Sequence, residues 1–576
     1  MVSMAAAVAE HDIYHPLSPG ETRFLIISPS STISDPIICQ LSNFNLESPE
    51  VLDYEALSYT WGDDEASHAI SVNSSPFKIR SNLYEALRHL RDVEEARVIW
   101  IDSICINQDL IPERNAQLLL MGKIFSVVKC VVIWLGIPNP GEERRLRHLS
   151  EGSWHFLDDV DAPSDVRERQ RYYGGAIVER QWWLRSWTVQ EFINSRDRVF
   201  VCGSVKLDSH TIMDLLDQYN EMSNAPEEDM HVYSLVKAMG SRKDGDLGRL
   251  MLHFGHRLAT DPKDKIYAYL ELVSDKNKLG IVPDYASSIS AAYVDLVKKS
   301  YEKDGHMEII CRHYRSTHRA SKVDFLPSWV PDWSVCRSIH TVWTTSLNGE
   351  SFFSAGYPSL VSETGGWPHP KGLPPIGKCH IKIREHVLHA SSIYIGNVSR
   401  DSTNDLHPQR DERDLLESIR SWRPADLESA KYANGKSKLD TFCETIVTDV
   451  FHKVRFSKYK NLKYKHSHLR EFLSTGEAKK PVIDALRKAS HDLHFDELSS
   501  GHYAMVPRIA KTGDVVAVLL GFSTPMVLRK MDVSELAVGE SEEVDSTTYR
   551  MIGPCYVNGV MDGEVSDHSF EKIRIV

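Results

Sequence analysis

Trp187 and Glu191 lie four residues apart in the run Arg185-Ser186-Trp187-Thr188-Val189-Gln190-Glu191. On a helix that spacing puts the indole and the carboxylate on one face. An aromatic ring beside a carboxylate can bind and orient a sugar–base ligand. A core Trp beside a solvated or Arg-paired Glu satisfies the same pattern. A second carboxylate, Asp102, closes the apolar run Val98–Ile101, and a thiol (Cys105) and an amide pair (Asn107-Gln108) follow it. An acid at the end of a buried strand can hold a ribose hydroxyl or move a proton. It can equally cap the turn or pair with Arg114. The third candidate is Tyr59-Thr60-Trp61-Gly62-Asp63, either a ligand-lining loop or a tight turn anchored by its Trp. Asp102 and Glu191 form a carboxylate pair only if the fold brings them together.

The elements that must carry these residues alternate. Tyr54–Tyr59 reads as a short strand, Ala69–Val72 and Phe77–Ile79 as a hairpin, and Val98–Ile101 and Val131–Leu135 as buried strands. Asn82, with Glu85 three residues on, reads as a capped helix start before the stripe Leu83, Leu87 and Leu90. Pro112 sits in the first turn of the next predicted helix. Residues 138–171 read as a charged, irregular connection, followed by a helix over about Arg180–Ile193 and a strand over Arg198–Cys202. Strands alternating with helices predict a mostly parallel sheet over 51–203. Residues 1–50 read as a leader with strand pieces at Phe24–Ile27 and Ile37–Leu41, and 204–340 as a mainly helical region. Residues 341–576 read as β-rich, with strands at Ser351–Ala355, Ile381–Ile383, Val515–Leu520, Met526–Leu528 and Tyr556–Val560. A charged, helix-leaning insertion over about 400–500 interrupts them.

Composition bounds the function. The chain has 576 residues, 42% hydrophobic and 26% charged, as in ordinary globular proteins. A net charge of −13 argues against the whole chain being a nucleic-acid binder. The longest apolar runs, Cys130–Ile137 and Val515–Phe522, fall far short of the ~20 residues of a membrane span. The first dozen residues fit neither a secretory signal nor an Arg-rich transit peptide. Nine scattered cysteines without a CxxC pair fit reduced, cytoplasmic thiols and give no metal site. No GxGxxG or GxxxxGKS/T follows a strand, so phosphate-loop nucleotide binding has no support. Phe451–Arg470 carries seven Lys or Arg with interleaved aromatics and no acid. It reads as a surface insertion, with anionic membrane or RNA as the other possibility.

Several segments together resemble the fungal heterokaryon-incompatibility (HET) domain. Tyr54-Glu55-Ala56-Leu57-Ser58-Tyr59-Thr60-Trp61-Gly62 resembles its opening motif. Trp100–Gln108, with Glu113, Arg114, Gln117 and Met121 and then Val132-Ile133-Trp134-Leu135-Gly136, resembles its central motif, and Trp183–Glu191 its third. Ala259–Tyr267, Pro283-Asp284-Tyr285, Leu326–Ser334, Gly513–Leu528 and Tyr556–Glu564 resemble flanking blocks of long HET-domain proteins. The resemblance implies a cytoplasmic protein of fungal self/non-self recognition (allorecognition) and programmed cell death. It implies no reaction by itself.

The order of these pieces is also similar to a Toll/interleukin-receptor (TIR) domain, which implies a flavodoxin-like α/β fold. Ser186-Trp187 followed by Glu191 matches the TIR spacing Ser-Trp-Cys-x-x-Glu, with Thr188 in place of the Cys and a longer connection at 138–171. In enzymatic TIR domains that Glu supports cleavage of NAD between nicotinamide and ribose. The resemblance therefore implies Glu191 as the catalytic carboxylate and NAD as substrate rather than cofactor. Tyr59, Trp61, Gly62, Asp102, Asn107 and Trp187 become the substrate-binding set. Self-association is implied as the switch. The alternative is a non-enzymatic signalling module that recruits an incompatibility partner.

Overall fold

The structure, a computed structural model, describes residues 13–48, 53–152, 163, 165–221, 247–273, 279–313, 323–335, 380–401, 412–427, 431–432, 435–448, 466–490, 492–531, 548–561, 563–565 and 569–576. The chain divides into two compact units. The first is Met1–Asn277 with Val282–Ser287, and the second is Lys278–Ile281 with Ser288–Val576.

The first unit is built on nine strands: β1 (Glu21–Ile27), β2 (Ile38–Asn45), β3 (Glu55–Ser58), β4 (His68–Val72), β5 (Ser75–Ile79), β6 (Arg97–Trp100), β7 (Cys130–Trp134), β8 (Arg198–Cys202) and β9 (Val205–Asp208). Their order across the sheet is β5-β4-β2-β1-β6-β3-β7-β8-β9. Four central neighbours, β6, β3, β7 and β8, run parallel. Val131–Trp134 of β7 are all buried, as a parallel strand covered on both faces requires.

The expectation of a mostly parallel sheet is corrected to a mixed one. β1 runs antiparallel to both β2 and β6, and β9 antiparallel to β8. The segment read as a leader thus supplies two strands, and β1 lies inside the sheet. The hairpin β4–β5 turns on Asn73 and Ser74, with φ of 51° and 66°. That two-residue, left-handed pair is the turn whose twist matches its strands. Asn73 also accepts the Leu41 N–H at 2.9 Å, tying the hairpin to β2.

Up to Glu221 the described helices are α1 (Ser81–Leu90), α2 (Asp102–Cys105), α3 (Ile111–Val127), α4 (Pro140–Ser150), α5 (Val166–Val178), α6 (Thr188–Asn194) and α7 (Ser209–Glu221), and Leu247–Phe254 and Asp264–Tyr267 follow. Three further expectations change. Within 138–171, the irregular connection contains α4 and the first part of α5. Asn139 opens α4 with a full capping box to Glu142, a local signal that overrides the charge density. The continuous helix expected over Arg180–Ile193 is a 3-10 turn, Gln181–Leu184, then a break, then α6. The N-cap of α1 is Arg80 rather than Asn82, whose side chain is drawn elsewhere.

Among the described residues of this unit, four indoles, Trp100, Trp134, Trp182 and Trp183, are fully buried. Each N–H is paired: with Thr22 Oγ1 (3.1 Å), Asn82 Oδ1 (2.9 Å), Ser58 Oγ (2.7 Å) and the Ile177 carbonyl (2.8 Å). Such rings carry most of a core's apolar area, and pairing the N–H avoids the cost of an orphaned donor.

The second unit holds a six-stranded sheet that starts with Ile381–Arg384 and Val387–Asn397, and a three-stranded sheet of Leu493–Glu497, Tyr503–Pro507 and Tyr556–Val557. Helices Glu412–Ser421, Lys438–Ile446, His466–Thr475 and Lys480–Ala489 lie within the described part of the 400–500 stretch. They share a core with one face of the smaller sheet, through Leu415, Phe442, Leu469, Leu486, Phe495 and Met505. The strand expected at Ser351–Ala355 and the basic residues 451–465 lie outside the described residues. No helix among the described residues is long and apolar enough to cross a membrane.

Candidate functional site

Ser58 is the last residue of β3, and Asp102 stands just past the end of β6. These strands are parallel neighbours, so both residues emerge at the carboxyl edge of the sheet, where open α/β sheets place ligands. Glu191 reaches the same edge from α6. The Ser58 hydroxyl donates to Glu191 Oε2 and accepts the Trp182 indole at 2.7 Å. Glu191 is 4% exposed and Ser58 fully buried. Burial pushes the Glu191 carboxyl up to about 7; Arg185 and the Ser58 hydrogen bond pull it down, and Asp102 raises it. Burial also raises Asp102, against the opposing pull of Arg185 and of the Trp61 hydrogen bond. The Arg185 charge therefore acts on both carboxyls, and Asp102 and Glu191 lie close enough for the charge of Asp102 to raise Glu191.

Arg185 sits in the break between the 3-10 turn and α6, where the backbone is extended. Its Nη1 donates to the Tyr59 carbonyl, tying this break to the residue after β3. Tyr59 is buried and its hydroxyl donates to Ser103 Oγ at 2.7 Å. Trp61 Nε1 donates to Asp102 Oδ2 at 3.0 Å. Gly62 takes φ of +81°, and its carbonyl accepts from Arg80, whose guanidinium lies 5.9 Å from the Trp61 ring. Asn82 donates to the Thr60 carbonyl at 2.6 Å and accepts Trp134 at 2.9 Å, which fixes the loop from below. This is where the side chain expected to cap α1 has gone.

Of the expected residues, Tyr59, Trp61, Gly62, Asp102 and Glu191 gather here. The other two lie elsewhere. Asn107 Oδ1 accepts from the Asp109 N–H at 3.2 Å, and its own N–H donates to Glu113 Oε1 at 2.8 Å. Trp187 begins α6, but its indole bears as a donor on the carboxyl of Asp264. The amide beside Asp102 that does reach it is Gln108, whose Nε2 donates to the Asp102 carbonyl at 2.9 Å. Ser58, Arg185, Trp182 and Asn82 were missed. Ser58 and Arg185 stand inside the motifs quoted above, as the polar residue ending a strand and the cation preceding a helix. Neither position shows which partner it meets.

Chemically the cluster offers a buried carboxyl that burial raises, a second acid, a nearby cation and an indole. Among the described residues no group of three His, Cys, Asp or Glu side chains is placed to hold a metal ion.

The heterokaryon incompatibility protein (HET) family matches residues 54–191, which runs from the residue before β3 to Glu191 itself. Heterokaryon incompatibility protein 6, OR allele, of Neurospora crassa is 25% identical over 95% of this chain and 94% of its own length. No solved structure matches the chain. The match to the HET family, confined to residues 54–191, thus begins beside the strand that presents Ser58 and ends at the carboxylate it bonds.

Proposed function

We propose that this protein acts in fungal heterokaryon incompatibility and the cell death that follows, and that its HET domain cleaves NAD at the nicotinamide–ribose bond. The observation that carries the reading is the placement of Glu191 against Ser58 at the carboxyl edge of parallel strands, sharing Arg185 with Asp102. The parallel neighbours β6-β3-β7-β8 stand, in chain order, as second, first, third and fourth. That order supports the flavodoxin-like, TIR-like reading, in which a ligand crevice would lie beside the first strand.

Heterolysis of the bond between ribose C1′ and the pyridinium nitrogen leaves neutral nicotinamide, which takes the bonding pair. The ribose becomes an oxocarbenium-like cation, and a nearby carboxylate stabilises it. Glu191 fills that role. A cationic pyridinium ring beside it favours its ionised form, so substrate draws the carboxyl below the value near 7 that burial imposes. Water then adds to C1′ and its proton passes to Glu191 or solvent. Trp61 supplies a stacking face, and Asp102 a ribose-hydroxyl acceptor. Access requires substrate to displace the Ser58 hydroxyl, and the seven-residue α6 is the short element that must yield. Self-association is the proposed switch, and the cytoplasm the proposed site of action.

The burial of Glu191 at 4% exposure favours a second reading, in which the carboxylate bolts α6 to β3 in a non-enzymatic module that recruits a partner. Nicotinamide release from NAD by the full-length protein, beside Glu191→Ala, separates them. Release by wild type and its loss in a folded variant supports the enzyme. No release from either, including on an oligomerising scaffold, leaves the bolt.

A further inference from the structure

Residues outside the 54–191 match grip the segment that carries Glu191. Leu258 accepts the Ser186 N–H at 2.9 Å, and Arg257 donates to the Trp183 carbonyl. Both bonds strap the backbone just ahead of α6. A second grip runs through side chains. Tyr285 donates its hydroxyl to Asp264, and the Trp187 indole bears on the same carboxyl. Trp187 is the N-cap of α6, and its carbonyl accepts the Glu191 N–H at 3.4 Å. Asp264 is thus one side chain and one helical turn from the proposed catalytic carboxylate.

Tyr285 is itself firmly placed. Lys263 donates to the Tyr285 carbonyl at 3.0 Å and to the Ser287 carbonyl at 2.8 Å. Asn115 accepts the Tyr285 N–H at 3.2 Å, and the Arg114 guanidinium lies 3.6 Å from the Tyr285 ring centre. Arg114 and Asn115 belong to the first turns of α3. Their neighbour Glu113 accepts from the Asn107 N–H and pairs with Arg23 of β1 through two bonds, 2.6 and 3.0 Å. Arg23 is 1% exposed and also donates to the Cys105 carbonyl at 3.0 Å. The start of α3 therefore holds the loop of Asp102 through Glu113, and the helix of Glu191 through Arg114, Tyr285, Asp264 and Trp187.

We propose that Tyr285 and Asp264 are positioning residues for Glu191, so that the working unit runs from β1 to Tyr285 and the span 54–191 alone does not hold the site. This rests on the NAD-cleaving reading for its catalytic consequence, and on geometry alone for its structural one. Lost partners at a helix start loosen that helix first, since elements open locally and with different free energies.

The test uses full-length Tyr285→Phe, which keeps the ring under Arg114 and removes only the hydroxyl, beside Asp264→Ala and Asp264→Asn. Amide hydrogen exchange over 188–194 is expected to rise about tenfold in the first two, with β7 and β8 unchanged, and to recover in Asp264→Asn, which keeps an acceptor oxygen. Nicotinamide release is expected to fall about tenfold in kcat with KM within about twofold. Unchanged exchange over α6, an equal rise across β7 and β8, or an unchanged kcat in Tyr285→Phe overturns the proposal. A wild type that releases no nicotinamide sinks the NAD reading alone, because the exchange pattern still decides whether Tyr285 and Asp264 position α6.

Discussion

The hydroxyl of Ser58, at the end of β3, donates to the carboxylate of Glu191, 133 residues later, while accepting the indole N–H of Trp182. One small side chain thereby pairs a buried acid with a buried donor. Neither has another side-chain partner of comparable closeness among the described hydrogen bonds.

Ser58→Ala leaves both groups short of a partner in a dry site. A loss of about 2–4 kcal/mol in unfolding free energy is expected, read from urea denaturation. The Ser58 bond holds the Glu191 carboxyl down, so its removal should move the pH midpoint of nicotinamide release upward. A variant as stable as wild type would show that the contact contributes nothing.

The raised Glu191 carboxyl also makes stability depend on pH. Its ordinary value is 4.5, and burial takes it to about 7 in the folded protein. The folded state therefore binds more protons than the unfolded state between these values, and this group's contribution falls as pH rises through that window. Glu191→Gln, which stays neutral, should remove that slope and gain roughly 3 kcal/mol on wild type at pH 8 relative to pH 4.5. Parallel urea midpoints across that range would refute it.

Asp102 raises Glu191 through its charge. Asp102→Asn should therefore shift the alkaline-rising limb of nicotinamide release, or the stability slope if release is absent, to lower pH. Trp61→Phe removes the donor that Asp102 accepts while keeping an aromatic face. It should raise KM several-fold and change kcat little, as expected for a residue that binds ground and transition states alike.

The pair between Arg23 and Glu113 is almost fully buried, with side chains 1% and 9% exposed. Removing one partner, as in Glu113→Gln, should cost about 3–5 kcal/mol because it strands the other charge. The double variant Arg23→Met/Glu113→Leu should cost clearly less than the sum of the singles. Additivity in the thermal or urea cycle would argue that the two side chains act independently.

Much of the sheet was legible because its strands are short apolar runs closed by turn residues. Val131–Trp134, Arg198–Cys202 and the β4–β5 hairpin all carry that local pattern. The direction of pairing was not. β1 has the same apolar content whether it runs parallel or antiparallel to β6, and its pairing with β6 depends on partners 70 or more residues away in sequence. The capping of α4 by Asn139 and Glu142 was available locally and was outweighed by the charge of the surrounding stretch.

The sequence by itself determined the chemistry on offer: Glu191 near an indole, Asp102 at a strand end and Trp61 in a turn, each set by spacing within a dozen residues. Only the tertiary structure decided who meets whom. It gave Glu191 to Ser58, Trp187 to Asp264, Asn107 to Glu113 and one Arg185 to two acids. Residue type and period choose a face, but a hydrogen bond needs a partner within about 3 Å, and a raised carboxyl needs water excluded around it. Packing supplies that condition, and no local pattern contains it.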